Sequence, residues 1–294
     1  MPAAITHYYH AKRALEEAKP KQEIPEDAFL WGAQGPDFLF CHRGLLWKKG
    51  DSLAEYGEKL HQEPPAHIFT CLQEYCKLHH DAAIAAYCMG FLCHYAADCI
   101  CHPFIYCQAE RLLKIEPGQD LEIAHHQVES ALDSIILRYE AASLPMEFNL
   151  KKALPKNPSV QRKIAELYAF LLERLYGISG KESLLIQAAD DARAVFGWLN
   201  DRTSLKKSLV ERWERRHGGK HTYSCHMRPV SEGDTFDYAN VLLQDWSWPQ
   251  HSEAVRKESF FDLYEQSVLD AQKLIADFLA GADPIVMTEN IPFE

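Results

Sequence analysis

The chain is short of cations. Its 31 lysines and arginines face 42 aspartates and glutamates, a net charge of −11. A broad grip on nucleic acid needs a basic surface against the phosphates, so that class is set aside. A small phosphate-bearing substrate is not excluded, because two or three divalent cations would supply locally the positive charge that the side chains lack. No basic segment followed by an apolar one opens the chain, so no secretory signal is expected. No stretch of about twenty apolar residues is free of ionisable groups, so no transmembrane helix is expected either. Strand-like alternation and internal repeats are also missing. The nine cysteines follow neither a zinc-ribbon spacing nor a secreted disulfide framework, which favours a reduced, cytoplasmic compartment. Most read as small buried hydrophobes, although Cys99 and Cys101 stand beside His102 and leave a thiolate ligand open.

What is present is helical periodicity in an all-α chain, with 47% hydrophobic residues to fill a core. Thr6 can cap a first helix over 7–18, and a short helix near 27–31 leads into a turn at 32–37. Asp51 or Ser52 can cap a helix ending at His61, and Pro64-Pro65 starts another to residue 79. Asp81 caps the long apolar helix from residue 82, with Pro103 expected near its end. A loop is expected at 113–119, then a helix over 121–142. Residues 145–158 are the best linker candidate. Helices follow over 159–176, 182–216 and 259–280, with a polar loop over 217–235. The Arg- and Lys-rich stretch 202–228 is read as a solvated helix face and loop rather than a phosphate patch.

Three residues of the apolar helix carry chemistry. His94, Asp98 and His102 are each four apart, so a helix places all three near one face, drifting about 40° per step. Polar side chains on a buried helix are costly unless paired or metal-bound, and imidazoles with a carboxylate at this spacing suit zinc in a helical bundle. His125 and Glu129 repeat the four-residue spacing; a surface His–Glu hydrogen bond is the plain alternative. Asp37 follows Gly35-Pro36 on a turn that can aim a carboxylate into a cleft, or cap a helix. His61 at a helix end could equally meet the helix dipole, and His7 could simply be exposed. Together these are five imidazoles and three carboxylates. A zinc ion takes three or four protein ligands, so the set implies two or three Zn²⁺ ions or several false positives.

The order Thr6-His7, Gly35-Pro36-Asp37, His61, His94-Tyr95-Ala96-Ala97-Asp98, His102-Pro103 and His125 with Glu129 resembles the bacterial zinc-dependent phospholipase C family. The related single-strand-specific zinc nucleases share its helical fold. The likeness covers residues 4–135 by motif, and more weakly Trp246-Ser247-Trp248-Pro249 and 259–263. It implies a single all-α phospholipase C-like bundle over 1–294, with a metal-site half (1–145), a helical C-terminal half (146–294) and the metal site between helices. It also implies one metal on Asp37, His61, His94 and Asp98, with Asp98 bridging to a second ion at His7. A third ion would take His102, His125 and Glu129. Two departures stand out. Secreted members begin with a tryptophan that binds the second metal, and none precedes His7 here. Their histidine after the bridging aspartate also comes slightly later than His102.

The implied activity is phosphodiester hydrolysis by a metal-bridging hydroxide, with Asp37 orienting or deprotonating the water. The implied substrate is a phospholipid or small phosphodiester, with room for peripheral membrane contact. Tyr8, Tyr9, Phe38, Phe40 and Trp47 are candidate headgroup walls, with ordinary core packing as the alternative for each. Two other readings stay open. His80-Asp81 would centre an HD-type metal phosphohydrolase, or the fold is a non-catalytic, metal-stabilised interaction domain.

Overall fold

A computed structural model describes residues 4–18, 23–45, 48–116, 118–219, 221–227, 236–248 and 252–293. The fold is all-α. In chain order the helices are α1 (Ala4–Ala18), α2 (Glu26–Ala33), α3 (Ala54–Gln62), α4 (Pro65–His79), α5 (Ala82–Ile115), α6 (Leu121–Ala141), α7 (Pro158–Tyr176), α8 (Glu182–Leu199), α9 (Leu205–Arg216), α10 (Phe260–Leu279) and α11 (Pro284–Thr288). A short antiparallel hairpin, β1 (Trp246–Trp248) and β2 (Ser252–Arg256), precedes α10.

Helix α5 is the axis of the bundle, packed by α1, α2, α6, α7 and α10. Asp81 caps it as expected, accepting from the amides of Ala83 and Ile84. Among the described residues it alone is long and apolar enough to cross a membrane, but 83% of its most apolar stretch is buried inside the protein. Its apolar sequence serves an interior wrapped on every side. Helix α2 reaches it closely through facing glycines. A Cβ on Gly32 would lie 2.0 Å from the Tyr87 carbonyl oxygen, and one on Gly90 2.1 Å from that of Phe29. That contact fixes α2, and with it the turn that follows.

Several boundaries differ from expectation. Helix α1 begins at Ala4, and Thr6 lies inside it. The cap comes from another helix: buried Asp133 on α6 accepts from the Ile5 and Thr6 amides and the Thr6 hydroxyl. A carboxylate on free amides at a helix start satisfies donors that no local residue reaches. Pro103 does not end α5, which continues to Ile115. Burial of Phe104, Ile105, Ala109 and Leu112 outweighs the roughly 3 kcal/mol cost of proline within a helix.

The helix expected over 182–216 is broken between α8 and α9. Asn200 is extended there and accepts from the Leu150 amide, while Asp201 accepts from Thr203 and Lys207 amides. Residues 145–158 are no bare linker, because Phe148, Leu150, Ala153 and Leu154 are buried. The hairpin and α11 were not foreseen; both are too short to show a period.

His10 on α1 is fully buried edge-on to Tyr264. Burial, with the neighbouring His7, lowers its pKa to about 3. The unfolded chain therefore binds a proton at His10 below about pH 6.5 that the folded chain refuses. Stability from this group is complete above pH 6.5 and lost as pH falls towards 3. The expected loss at pH 5 is about 2 kcal/mol relative to pH 7.5. Urea unfolding at the two pH values checks it: His10→Gln should shrink the difference, and an equal difference in both proteins would refute the assignment.

Candidate metal centre

The eight candidate residues come from five elements and converge: Asp37, His61, Asp98, His102, His125 and Glu129 line one cleft, and His7 and His94 are buried against Asp98. Helix α1 supplies His7, and the turn Gly35–Leu39 after α2 supplies Asp37. Helix α3 supplies His61, α5 supplies His94, Asp98 and His102, and α6 supplies His125 and Glu129. All eight are buried. Their donor atoms form three groups, each within 4.8 Å: His7, His94 and Asp98; Asp37, His61 and His94; and His102, His125 and Glu129.

His94 belongs to two of the groups, and Asp98 spans His7 and His94. Asp98 Oδ1 lies 3.2 Å from His7 Nε2, and its Oδ2 lies 3.0 Å from His94 Nε2. Asp37 Oδ1 is 3.2 Å from His61 Nε2. Glu129 Oε1 is 3.1 Å from His125 Nε2 and 3.8 Å from His102 Nε2.

Backbone carbonyls orient two of the rings. His61 Nδ1 lies 2.8 Å from the Gly57 carbonyl oxygen, and His102 Nδ1 lies 3.0 Å from that of Phe293. Donation to these acceptors leaves both Nε2 lone pairs facing the cleft, the arrangement metal-ligating histidines use. Gly35, at φ +49°, lets the turn press on the His94 ring. A Cβ there would sit 2.2 Å from His94 Cδ2.

The charges fit a cation site. Burial alone would raise the carboxyl pKa values, but the facing imidazoles win. His94, His102 and His7 hold Asp98 well below the usual range, and His125, His102 and His126 do so for Glu129. Burial also opposes ionisation of Asp37, yet His94 and His61 hold it low. His61 is raised: burial lowers it, and its hydrogen bond to Asp37 more than compensates.

Several buried polar atoms have no hydrogen-bond partner: Asp37 Oδ2 and both ring nitrogens of His94, with Nδ1 of His7 and His125. His94 Nε2 approaches Asp98 Oδ2 without hydrogen-bond geometry, so a third body between them suits the pair better than a proton does. Imidazole and carboxylate donors, buried, clustered and unsatisfied, fit zinc.

The cleft measures about 760 Å³. Asp37, Glu58, Asp98, Glu122 and Glu129 line it, with no described lysine or arginine. An anionic phosphate would be repelled from such a cleft unless cations were held in it. The described lysines and arginines of the basic stretch 202–228 do not line it.

Other candidates fall elsewhere. Asp81 is occupied as the α5 cap and pairs with Lys163, and His80 is exposed at the end of α4. Neither lines the cleft, which removes the HD-type reading. Cys99 and Cys101 join none of the three groups, and burial pushes both thiols up, away from the thiolate that a ligand needs. None of the nine cysteines forms a disulfide.

Of the proposed aromatic walls, Phe40 lines the cleft. Phe38 is core, against Trp31 and Tyr168, and Tyr8 and Tyr9 pack on Phe148. Trp47 lies outside the described residues. Tyr106, Trp198 and Tyr223 line the cleft instead.

Two histidines escaped the sequence reading. His126 Nδ1 is 3.2 Å from Glu129 Oε2, so Glu129 presents one oxygen to His125 and the other to His126. The His226 ring lies 4.4 Å from that of His126 and also lines the cleft. Its segment is tied down by buried Glu214, which accepts from the Tyr223 and Ser224 amides and the Ser224 hydroxyl. The three-residue spacing of His126 and Glu129 was readable; no local pattern announces His226.

A family model described as zinc-dependent phospholipase C matches residues 6–178. No curated protein and no solved structure matches. The matched stretch contains all eight convergent residues and ends two residues into the α7–α8 connection.

Proposed function

Because the chain belongs to the zinc-dependent phospholipase C family, we propose that it is a zinc-dependent phosphodiester hydrolase of phospholipase C type, acting on a phospholipid or a smaller phosphodiester. The observation that carries this reading is the convergence of three donor groups in one acidic cleft. There, Asp37, His61, His94 and Asp98 would hold one ion, His7 would share Asp98 for a second, and His102, His125 and Glu129 would hold a third.

Bound zinc supplies Lewis acidity at phosphoryl oxygens and lowers the pKa of water towards neutrality. Asp37 Oδ1 lies 3.2 Å from His61 Nε2, placed to ligate the same ion, and Oδ2 is unpartnered. That oxygen is the base that orients the attacking water and takes its proton. The water oxygen bonds to phosphorus in line with the leaving oxygen, and the proton returns to that oxygen as its bond to phosphorus breaks. With a phospholipid the products are diacylglycerol and a phosphorylated headgroup.

The test is hydrolysis of a soluble chromogenic phosphodiester. Activity should disappear after chelation and return with zinc, but not with magnesium, whose preference for octahedral oxygen sites suits this histidine-rich set poorly. A zinc-loaded chain that leaves phosphodiesters intact would instead support the non-catalytic, metal-stabilised interaction domain.

A further inference from the structure

We infer that residues 241–243 form a bilayer-insertion loop, which seats the protein on a phospholipid surface. Val241, Leu242 and Leu243 are consecutive aliphatic residues, 59%, 71% and 54% exposed. Scattered exposed leucines are ordinary, but three in a row on one turn are not.

The turn is built to hold them outward. Both carboxylate oxygens of Asp237 accept amides, Oδ1 from Val241 and Oδ2 from Leu242, each at 2.9 Å. Buried Asn240 accepts the Leu243 amide on its carbonyl and the Gln244 amide on its side chain. Its Nδ2 donates to the carbonyls of Gln244, Lys257 and Glu258. Every amide from 241 to 244 is thus satisfied within the protein, so no N–H of the tip must be stripped of water when it enters lipid. Leu243 sits at φ +52°, a left-handed conformation that costs a bulky residue energy. Folding alone gains nothing from a strained, solvent-facing leucine.

Position and charge select the occupant. The loop precedes β1 by two residues, and the far end of that strand, Trp248, stacks on Tyr106 at 5.2 Å, which lines the cleft 4.5 Å from His125. On a chain of net −11, the charges at the loop's base pair off: Lys257 with Asp245, and Arg256 with Glu258. The remaining carboxylate, Asp237, spends both oxygens on the tip's amides, so the described base carries no excess cation to seek an anionic surface. An uncharged apolar tip on such a base suits a zwitterionic phosphatidylcholine surface, entered by hydrophobic transfer rather than by charge. The choice of a lipid occupant rests on the proposed phospholipase reading.

The test is co-sedimentation of the full, zinc-loaded chain with phosphatidylcholine vesicles, in the Asp37→Asn background so that the lipid is not consumed. The parent should pellet with vesicles and stay bound in high salt, where charge-driven binding is screened. Leu242→Glu should weaken binding by about tenfold or more, and Leu242→Trp should retain or strengthen it. With Asp37 intact, Leu242→Glu should hydrolyse the soluble phosphodiester as the parent does. Equal pelleting of parent and Leu242→Glu would overturn the inference, as would a parent that never pellets. A parent dimer dissolved by Leu242→Glu would overturn it too, reassigning the loop to self-association. Salt-resistant vesicle binding in a chain that cleaves no diester would support docking while sinking the proposed reaction.

Discussion

Replacing Asp37 with asparagine is expected to lower hydrolysis of a soluble phosphodiester about a thousandfold, within the range of a lost general base. The substitution keeps an oxygen beside His61, whose Nε2 lies 3.2 Å from Oδ1, for the ion that both would hold. It turns the buried, unpartnered Oδ2 into an amide that donates and cannot accept a proton. Most of the loss should therefore appear in kcat. Zinc content, measured alongside, separates the lost base from a lost ligand: a chain that stays loaded and loses its rate supports the role given to Asp37. A loaded variant within tenfold of the parent would refute it. Asp37→Ala should lose both rate and metal, because neither oxygen remains.

The second large effect is expected from a residue with no side chain. Gly35→Ala should empty the Asp37, His61 and His94 group of zinc and cut activity about a hundredfold, the scale of a misplacement near 1 Å. The backbone there has φ +49°, which costs an L-residue about 1 kcal/mol or more. The added methyl would lie 2.2 Å from His94 Cδ2 and 2.6 Å from its Nε2. The ring cannot back away freely, because it is fully buried with Phe91 and Phe293 around it. Helical content should change little, so circular dichroism and zinc stoichiometry together isolate the effect. Normal zinc content and normal activity would show that the turn does not set the His94 position.

What the sequence disclosed follows the range of its rules. His94, Asp98 and His102, like His125 and Glu129, were legible because a helix repeats every 3.6 residues and residues four apart share a face. Pro103 did not spoil the reading, since α5 runs straight through it. His7, Asp37 and His61 have no such local link. They join the others only through tertiary packing, and the family resemblance was what tied them in. The start of α1 was misplaced for the same reason, because its cap, Asp133, stands far along the chain. His226 was out of reach altogether: a loop held by Glu214 carries it into the cleft. Aromatic residues mislead most, since the same rings fill cores and line clefts. Phe38 and Phe40 are two residues apart, yet one packs on Tyr168 and the other faces His61.

All of this depends on zinc in the cleft. The most direct measurement is the transition-metal content of the protein purified without chelator, by elemental analysis. About two to three zinc ions per chain are expected from three donor groups, two of which share His94. Asp98→Ala should remove more than one of them at once, because its two oxygens face different histidines. Less than one bound transition metal per chain, unchanged after incubation with zinc, would contradict the account.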